Sequence, residues 1–199
     1  MKKISLSLKK VKALEKMMEL ASWDAAGALS QMLSVEVKVD FSGVDFLNFK
    51  RIFDAIGSED EKVGVVFMMV SGDVEGALVF VFEEDALRRF LRILLKKEVE
   101  VEDMGEVEIS ALKAIGNVVG TNFLNALSKM TSLLFVPSVP AFAYDFAGAA
   151  LDAILVNQSS VASHVLYVQI NFFVESESIP ANLFFFPDPK SLSKLMEKI

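Results

Sequence analysis

Gly27-Ala28-Leu29-Ser30-Gln31-Met32-Leu33-Ser34 returns, 98 residues later, as Asn125-Ala126-Leu127-Ser128-Lys129-Met130-Thr131-Ser132. The two stretches align without a gap, and five of the eight positions are identical. Each closes a run of helical spacing and leads into an apolar segment of strand character. A repeat of this length within 199 residues implies pseudo-twofold architecture. It also makes each half a control for the other: where the copies differ on an exposed face, the difference is a candidate for function.

Working outward from the first copy, helical spacing runs from about Leu8 to Leu33, and Val35 to Phe41 alternates as a strand. Asp45 to Ile56 fits either a helix or an irregular strand, ended by Gly57-Ser58-Glu59-Asp60-Glu61. Val63 to Val70 and Ala77 to Phe82 are rich in Val and Phe, and Ser71-Gly72-Asp73-Val74-Glu75-Gly76 between them signals a hairpin. A helix follows from Asp85 to about Leu95. The acidic connector from Lys97 to Glu106 reads as a solvated link between halves.

The second half keeps the order. A helix is expected from Val107 to Met130, a strand near Leu133 to Val136, and a short Ala-rich helix from Asp145 to about Val156. Val165 to Val174 and Asn182 to Phe186 form a second hairpin, joined by Glu175-Ser176-Glu177-Ser178-Ile179-Pro180. Asp188 is placed to cap a last helix that has Pro189 at its first position. Each half is helix, strand, variable segment, hairpin, helix. The prediction is one α+β domain of two repeats, about 8–96 and 106–199: an antiparallel sheet packed against two long antiparallel helices.

Composition removes several classes of function. Apolar residues make up 53% of the chain, but no uninterrupted apolar run approaches the ~20 residues of a membrane span. Met1-Lys2-Lys3-Ile4-Ser5-Leu6-Ser7-Leu8 lacks the apolar core and cleavage site of a signal peptide, so a cytoplasmic protein without membrane contact is expected. There is no Cys, hence no disulfide, thiolate metal site or Cys nucleophile. The single His, His164, lies in an alternating stretch and reads as an ordinary strand residue, with no triad or metal constellation around it. A net charge of −7 argues against nucleic acid, whose phosphates need clustered Lys and Arg. The Phe-rich strands, Phe184-Phe185-Phe186 included, read first as core and second as a lipid or cofactor pocket.

The repeat superposes the two long helices. Lys12 falls on Ser110, Lys16 on Ala114, Glu19 on Asn117 and Trp23 on Thr121. In each helix these positions are spaced i, i+4, i+7, i+11 and form one stripe. Ile109, Leu112, Val119, Phe123 and Leu127 form another, which should face the core. Ser110, Asn117 and Thr121 are therefore expected on a shared solvent face, and an exposed Trp23 would serve as an interface anchor.

Ser110, Ala114 and Asn117, with Pro140 after 22 intervening residues, resemble the signature of the CheC/CheX/FliY phosphatases of chemotaxis. That signature is Asp or Ser, three residues, Glu, two residues, Asn, 22 residues, Pro. The hairpin from Val70 to Leu78 and the helix after it are also similar, and the resemblance covers nearly the whole chain. It implies removal of phosphate from a CheY-type response regulator. In that mechanism a long helix docks on the regulator, the helix Asn positions water for in-line attack, and the helix Glu pairs with a regulator Lys. The resemblance also implies no cofactor or metal of the protein's own, with Mg²⁺ supplied by the regulator. Phosphoryl transfer asks mainly for positioning and charge stabilisation, which suits an amide.

The chain departs from the signature at the Glu position, which is Ala114. In the first half, Lys16 and Glu19 replace Glu and Asn, with Lys12 at the Ser position, so that site is degenerate. Ala114 cannot form a charge-assisted bond to the regulator Lys, of a kind contributing about 1.5–3 kcal/mol. Docking would be weaker by about one to two powers of ten. Two readings stay open. One is a phosphatase with impaired or altered activity, using Asn117. The other is a non-catalytic module of the same fold that binds a response regulator or a CheD-like protein, the latter near the helix from Asp145 to Leu155.

Overall fold

The computed structural model describes residues 8–48, 51–155 and 164–199. In chain order the elements are α1 (Leu8–Leu33), β1 (Val37–Asn48), α2 (Ile52–Ile56), β2 (Lys62–Gly72), β3 (Gly76–Glu83) and α3 (Glu84–Leu95). They continue as α4 (Glu106–Thr131), β4 (Phe135–Pro137), β5 (Ala141–Phe146), α5 (Ala147–Leu155), β6 (His164–Val174), β7 (Glu177–Pro187) and α6 (Pro189–Lys198). The strands form one sheet in the order β1-β6-β7-β3-β2-β4, with β5 also on β2, and every ladder is antiparallel.

The central strands explain their own composition. β3 and β7 are covered on both faces, so they read as continuous apolar runs rather than alternating ones. Leu78, Phe80, Phe82 and Phe185 point into a core shared with α1, α3, α4 and α6. Ala77, Val79, Val81, Phe184 and Phe186 point the other way, into a smaller core under Ile52 and Ile56 of α2 and Ala147, Ala150 and Leu151 of α5. The Phe-rich stretch is thus core, divided between two faces. The two long helices lie over one face, and α2 and α5 cover the other, because a sheet apolar on both sides must be buried on both.

Four rings knit the larger core. Phe172 of β6 lies 5.0 Å from Phe90 of α3 and 5.8 Å from Phe80 of β3, and Phe82 lies 5.4 Å from Phe90. All four side chains are essentially inaccessible.

Several boundaries differ from the sequence expectation. The ambiguous stretch resolves into both alternatives, strand to Asn48 and helix from Ile52. The edge strand β5 runs through Asp145 to Phe146, so the Ala-rich helix starts at Ala147 rather than at Asp145. The end expected for that helix, Val156, lies outside the described residues. The second hairpin turns at Glu175-Ser176, so the expected six-residue joint is mostly strand. The connector is not a simple solvated link. Val99 and Val101 are buried in the larger core, with a 3₁₀ turn at Val101–Asp103. His164 opens β6, paired with Asn48. Asp188 caps α6 as expected, its carboxylate accepting from the Ser191 amide at 2.7 Å.

Candidate functional site

α4 is held against the sheet by two glycines one turn apart. A Cβ on Gly116 would stand 2.5 Å from Val66 Cγ1, and one on Gly120 would stand 2.3 Å from Met68 Cε. The helix backbone therefore lies directly over β2, with Leu112, Ile115, Val119, Phe123 and Leu127 buried on either side of this contact. Ile109, in the first turn, is only half-buried, unlike the rest of the predicted core stripe. Fixing one face of a helix fixes the opposite face as well, and the residue beside Gly116 is Asn117.

The stripe expected to face solvent does so. Ser110, Ala114 and Asn117 are exposed and Thr121 is half-buried. Among the described residues, the hydroxyls of Ser110 and Thr121 and the carboxamide of Asn117 make no hydrogen bond. Three other polar side chains on the same helix are internally satisfied. Asn122 Nδ2 donates to Val118 O at 2.9 Å, Ser128 Oγ to Leu133 O at 2.7 Å, and Thr131 Oγ1 to Leu127 O at 2.7 Å. Back-bonding is the usual fate of such groups in a helix. Asn117 differs from Asn122 in offering both its oxygen and its NH₂ to whatever lies on the helix.

α1 packs beside α4 over the same core, and Asp24 and Lys129 approach to 4.0 Å between the helices. Its matching stripe is exposed at Lys12, Lys16, Glu19 and Trp23, with Trp23 70% accessible. The indole thus fulfils the condition set for an interface anchor. Pro140 is placed elsewhere. It is half-buried between β4 and β5 in the edge strand, not on the α4 stripe. A proline fits there because that edge strand bulges, and its missing amide interrupts no ladder.

The start of α4 is organised by a residue that the sequence reading passed over. Glu108 Oε2 accepts from the Gly105 amide at 3.0 Å, reaching back to the first free donor of the helix. Its Oε1 meets Lys97 Nζ at 2.8 Å, which ties the connector to the helix. The Lys97 ammonium, helped by backbone donors, holds this carboxyl below the usual carboxylate range. Lys194 and the Leu134 amide do the same for Asp73, and Lys62 for Glu102. A depressed carboxylate stabilises the fold fully above its unfolded value, about 4, and that stability is lost as pH falls through the folded value. The urea midpoint is accordingly expected to be flat from about pH 5 to 7 and to fall below about pH 4. Glu108→Gln should shrink the fall, and a midpoint indifferent to acid would contradict these pairings.

Among the described residues no group of three or more His, Cys, Asp or Glu could hold a metal ion, and no helix is long and apolar enough to cross a membrane. What α4 offers is neutral: hydroxyl, methyl, carboxamide, hydroxyl. Such a face can orient water or a phosphoryl oxygen, but it supplies neither a base nor a counter-charge.

No protein-family model matches the chain. The chain is similar to the CheY-P phosphatase CheC of Bacillus subtilis, at 30% identity over 176 residues, or 86% of this chain and 84% of that protein. In fold it is similar to FliY of Thermotoga maritima, with a TM-score of 0.74 at 16% identity over 98% of each chain. It is also similar to a chain of the CheX–CheY–BeF3–Mg²⁺ complex of Borrelia burgdorferi, with a TM-score of 0.51 at 18% identity, covering 85% of this chain and 96% of that one.

Proposed function

The chain belongs to the CheC/CheX/FliY family, and on that footing we propose that it acts on a phosphorylated CheY-type response regulator in chemotaxis, with α4 as its docking helix. The observation that carries this reading is Asn117: exposed, unpaired, and fixed in direction by the glycine contact beneath it. The carboxamide oxygen accepts a hydrogen bond from a water O–H and so aims the water's lone pair at phosphorus, in line with the aspartyl oxygen that leaves. The aspartyl carboxylate departs and inorganic phosphate is released. Mg²⁺ and the charges around it belong to the regulator; the chain contributes position. Ser110 and Thr121 flank Asn117 on the stripe as hydrogen-bonding contacts to the regulator surface. The common element order of the two halves and the repeated segment support an origin by duplication, as one domain of two repeats. The first-half site at Lys12, Lys16 and Glu19 has since lost its chemistry.

Ala114 makes the proposed activity weak, because the regulator's Lys meets a methyl group where the family signature has Glu. The decay of the phosphorylated regulator, followed with Mg²⁺ with and without the protein, tests the proposal directly. Ala114→Glu should raise activity at sub-saturating protein by about ten- to a hundredfold, restoring one charge-assisted bond. The position is exposed, so the substitution disturbs no packing. Absence of a gain would mean that the surface has diverged toward a different partner.

A second reading rests on the same substitution. With Ala114 on one helix and Lys16 on the other, the fold could serve as a binding module for a response regulator or a CheD-like protein. Regulator decay unchanged by the protein, with binding retained, would select it.

A further inference from the structure

The family signature ends at Pro140, and the reading above gives that end of it no task. The structure shows how the segment is built. On β2, Val70 pairs with Pro137 and Phe67 with Ala141, so Met68 and Met69 face three residues, Ser138, Val139 and Pro140. This is a one-residue bulge in the edge strand. Ser138 holds it closed: its amide donates to Met69 O at 2.8 Å, its Oγ accepts from the Met69 amide at 3.0 Å, and the same hydroxyl donates to Val139 O at 3.1 Å. The result is a fixed backbone that displays one apolar side chain. Val139 is 84% exposed, the most exposed large hydrophobic among the described residues.

The bulge lies at the height of the candidate site. Gly116 sits over Val66 and Gly120 over Met68, the β2 residue that faces the bulge. The segment from Asn117 to Thr121 is therefore level with Ser138–Pro140 along the strand axis. A specific interface buries about 800 Å² on each partner across about 20–30 residues, more than one stripe of four helix residues can offer. A globular partner seated on Asn117 must also rest on the neighbouring surface, and an apolar side chain on a pinned backbone binds with little ordering cost.

We infer that Val139 is a docking anchor for the receiver domain of the response regulator, so that the α4 stripe and the bulge form one binding surface. The inference rests on the proposed regulator-phosphatase reading and deepens it. It gives the Pro-containing end of the signature a role in affinity, separate from the role of Asn117 in chemistry.

The test is the rate of regulator dephosphorylation against protein concentration, for wild type, Val139→Asp and Asn117→Ala, with Phe173→Ser as a control at an exposed apolar site on β6. Val139→Asp should raise the half-saturating concentration about tenfold and leave the maximal rate within about twofold. Asn117→Ala should do the reverse, and Phe173→Ser should do neither. Equal half-saturation for wild type and Val139→Asp overturns the inference. If wild type does not accelerate decay, the catalytic reading has failed separately, and binding to the regulator loaded with BeF3 and Mg²⁺ becomes the readout. A tenfold weaker complex with Val139→Asp then upholds the anchor; equal binding, or no binding by wild type, overturns it. Val139→Asp should keep the wild-type melting temperature, since the side chain contacts solvent.

Discussion

Asn117→Ala is expected to abolish the acceleration of regulator dephosphorylation, by at least about a hundredfold, while leaving the fold as stable as before or slightly more so. The first half of that expectation follows from what the residue does in the proposed mechanism. Positioning is the chain's main contribution to the chemistry, and loss of near-attack geometry alone costs about 10²-fold. The second half follows from the structure. The carboxamide is exposed and bonded to nothing, so its removal orphans no partner and opens no cavity. Alanine is also the better helix former by a few tenths of a kcal/mol. The pairing of lost activity with unchanged melting temperature sets the result apart from a structural defect. Asn122→Ala is the matched control: that side chain is bonded within the helix and off the stripe, so activity should survive. Unchanged decay with Asn117→Ala would remove Asn117 from the mechanism.

Phe172→Ala should be the most damaging truncation in the core. The ring is fully buried and stacks on Phe90 at 5.0 Å, within reach of Phe80 and Phe82. It therefore joins β6 of one half to β3 and α3 of the other. Phenylalanine-to-alanine changes at such sites cost about 3–5 kcal/mol, a large share of the roughly 5–15 kcal/mol that holds a domain folded. Equilibrium urea denaturation should show the midpoint falling with little change in slope. A loss under about 1 kcal/mol would mean that the surrounding rings collapse into the space.

The long helices were legible because their signal is long: 26 residues of 3.6-periodic burial leave little ambiguity, and the ends of α1 fall at Leu8 and Leu33 as read. The exposed stripe followed from the same periodicity. β5 was hidden because the bulge at Ser138–Pro140 breaks the alternation just before it, and Asp145 then resembles a helix cap. In the fold, the Asp145 carboxylate accepts from the Phe146 amide at the end of the strand. Pro180 misled in the same way, suggesting a loop. It lies in β7 opposite Asn171, beyond Asn182, where pairing with β3 has stopped and β7 has a single strand neighbour. The connector looked solvated because its average composition is acidic, and averaging concealed two valines that alternate with glutamates and turn inward. For the site, spacing singled out Asn117, but it could not show that this carboxamide is free while that of Asn122 is bonded within the helix, since the two look the same in sequence.

The central ladder of the sheet has a consequence for how the chain is made. β3 and β7 pair side by side although they are about a hundred residues apart in sequence. Contacts of that separation form late and slowly. At about 5–20 residues per second, the ribosome takes about 5–20 s to deliver β7 after β3 has emerged. For that interval the first hairpin presents an unpaired edge with apolar residues on both faces, a template for wrong strand pairing. The first half is therefore open to such mispairing until β7 of its own second half has docked.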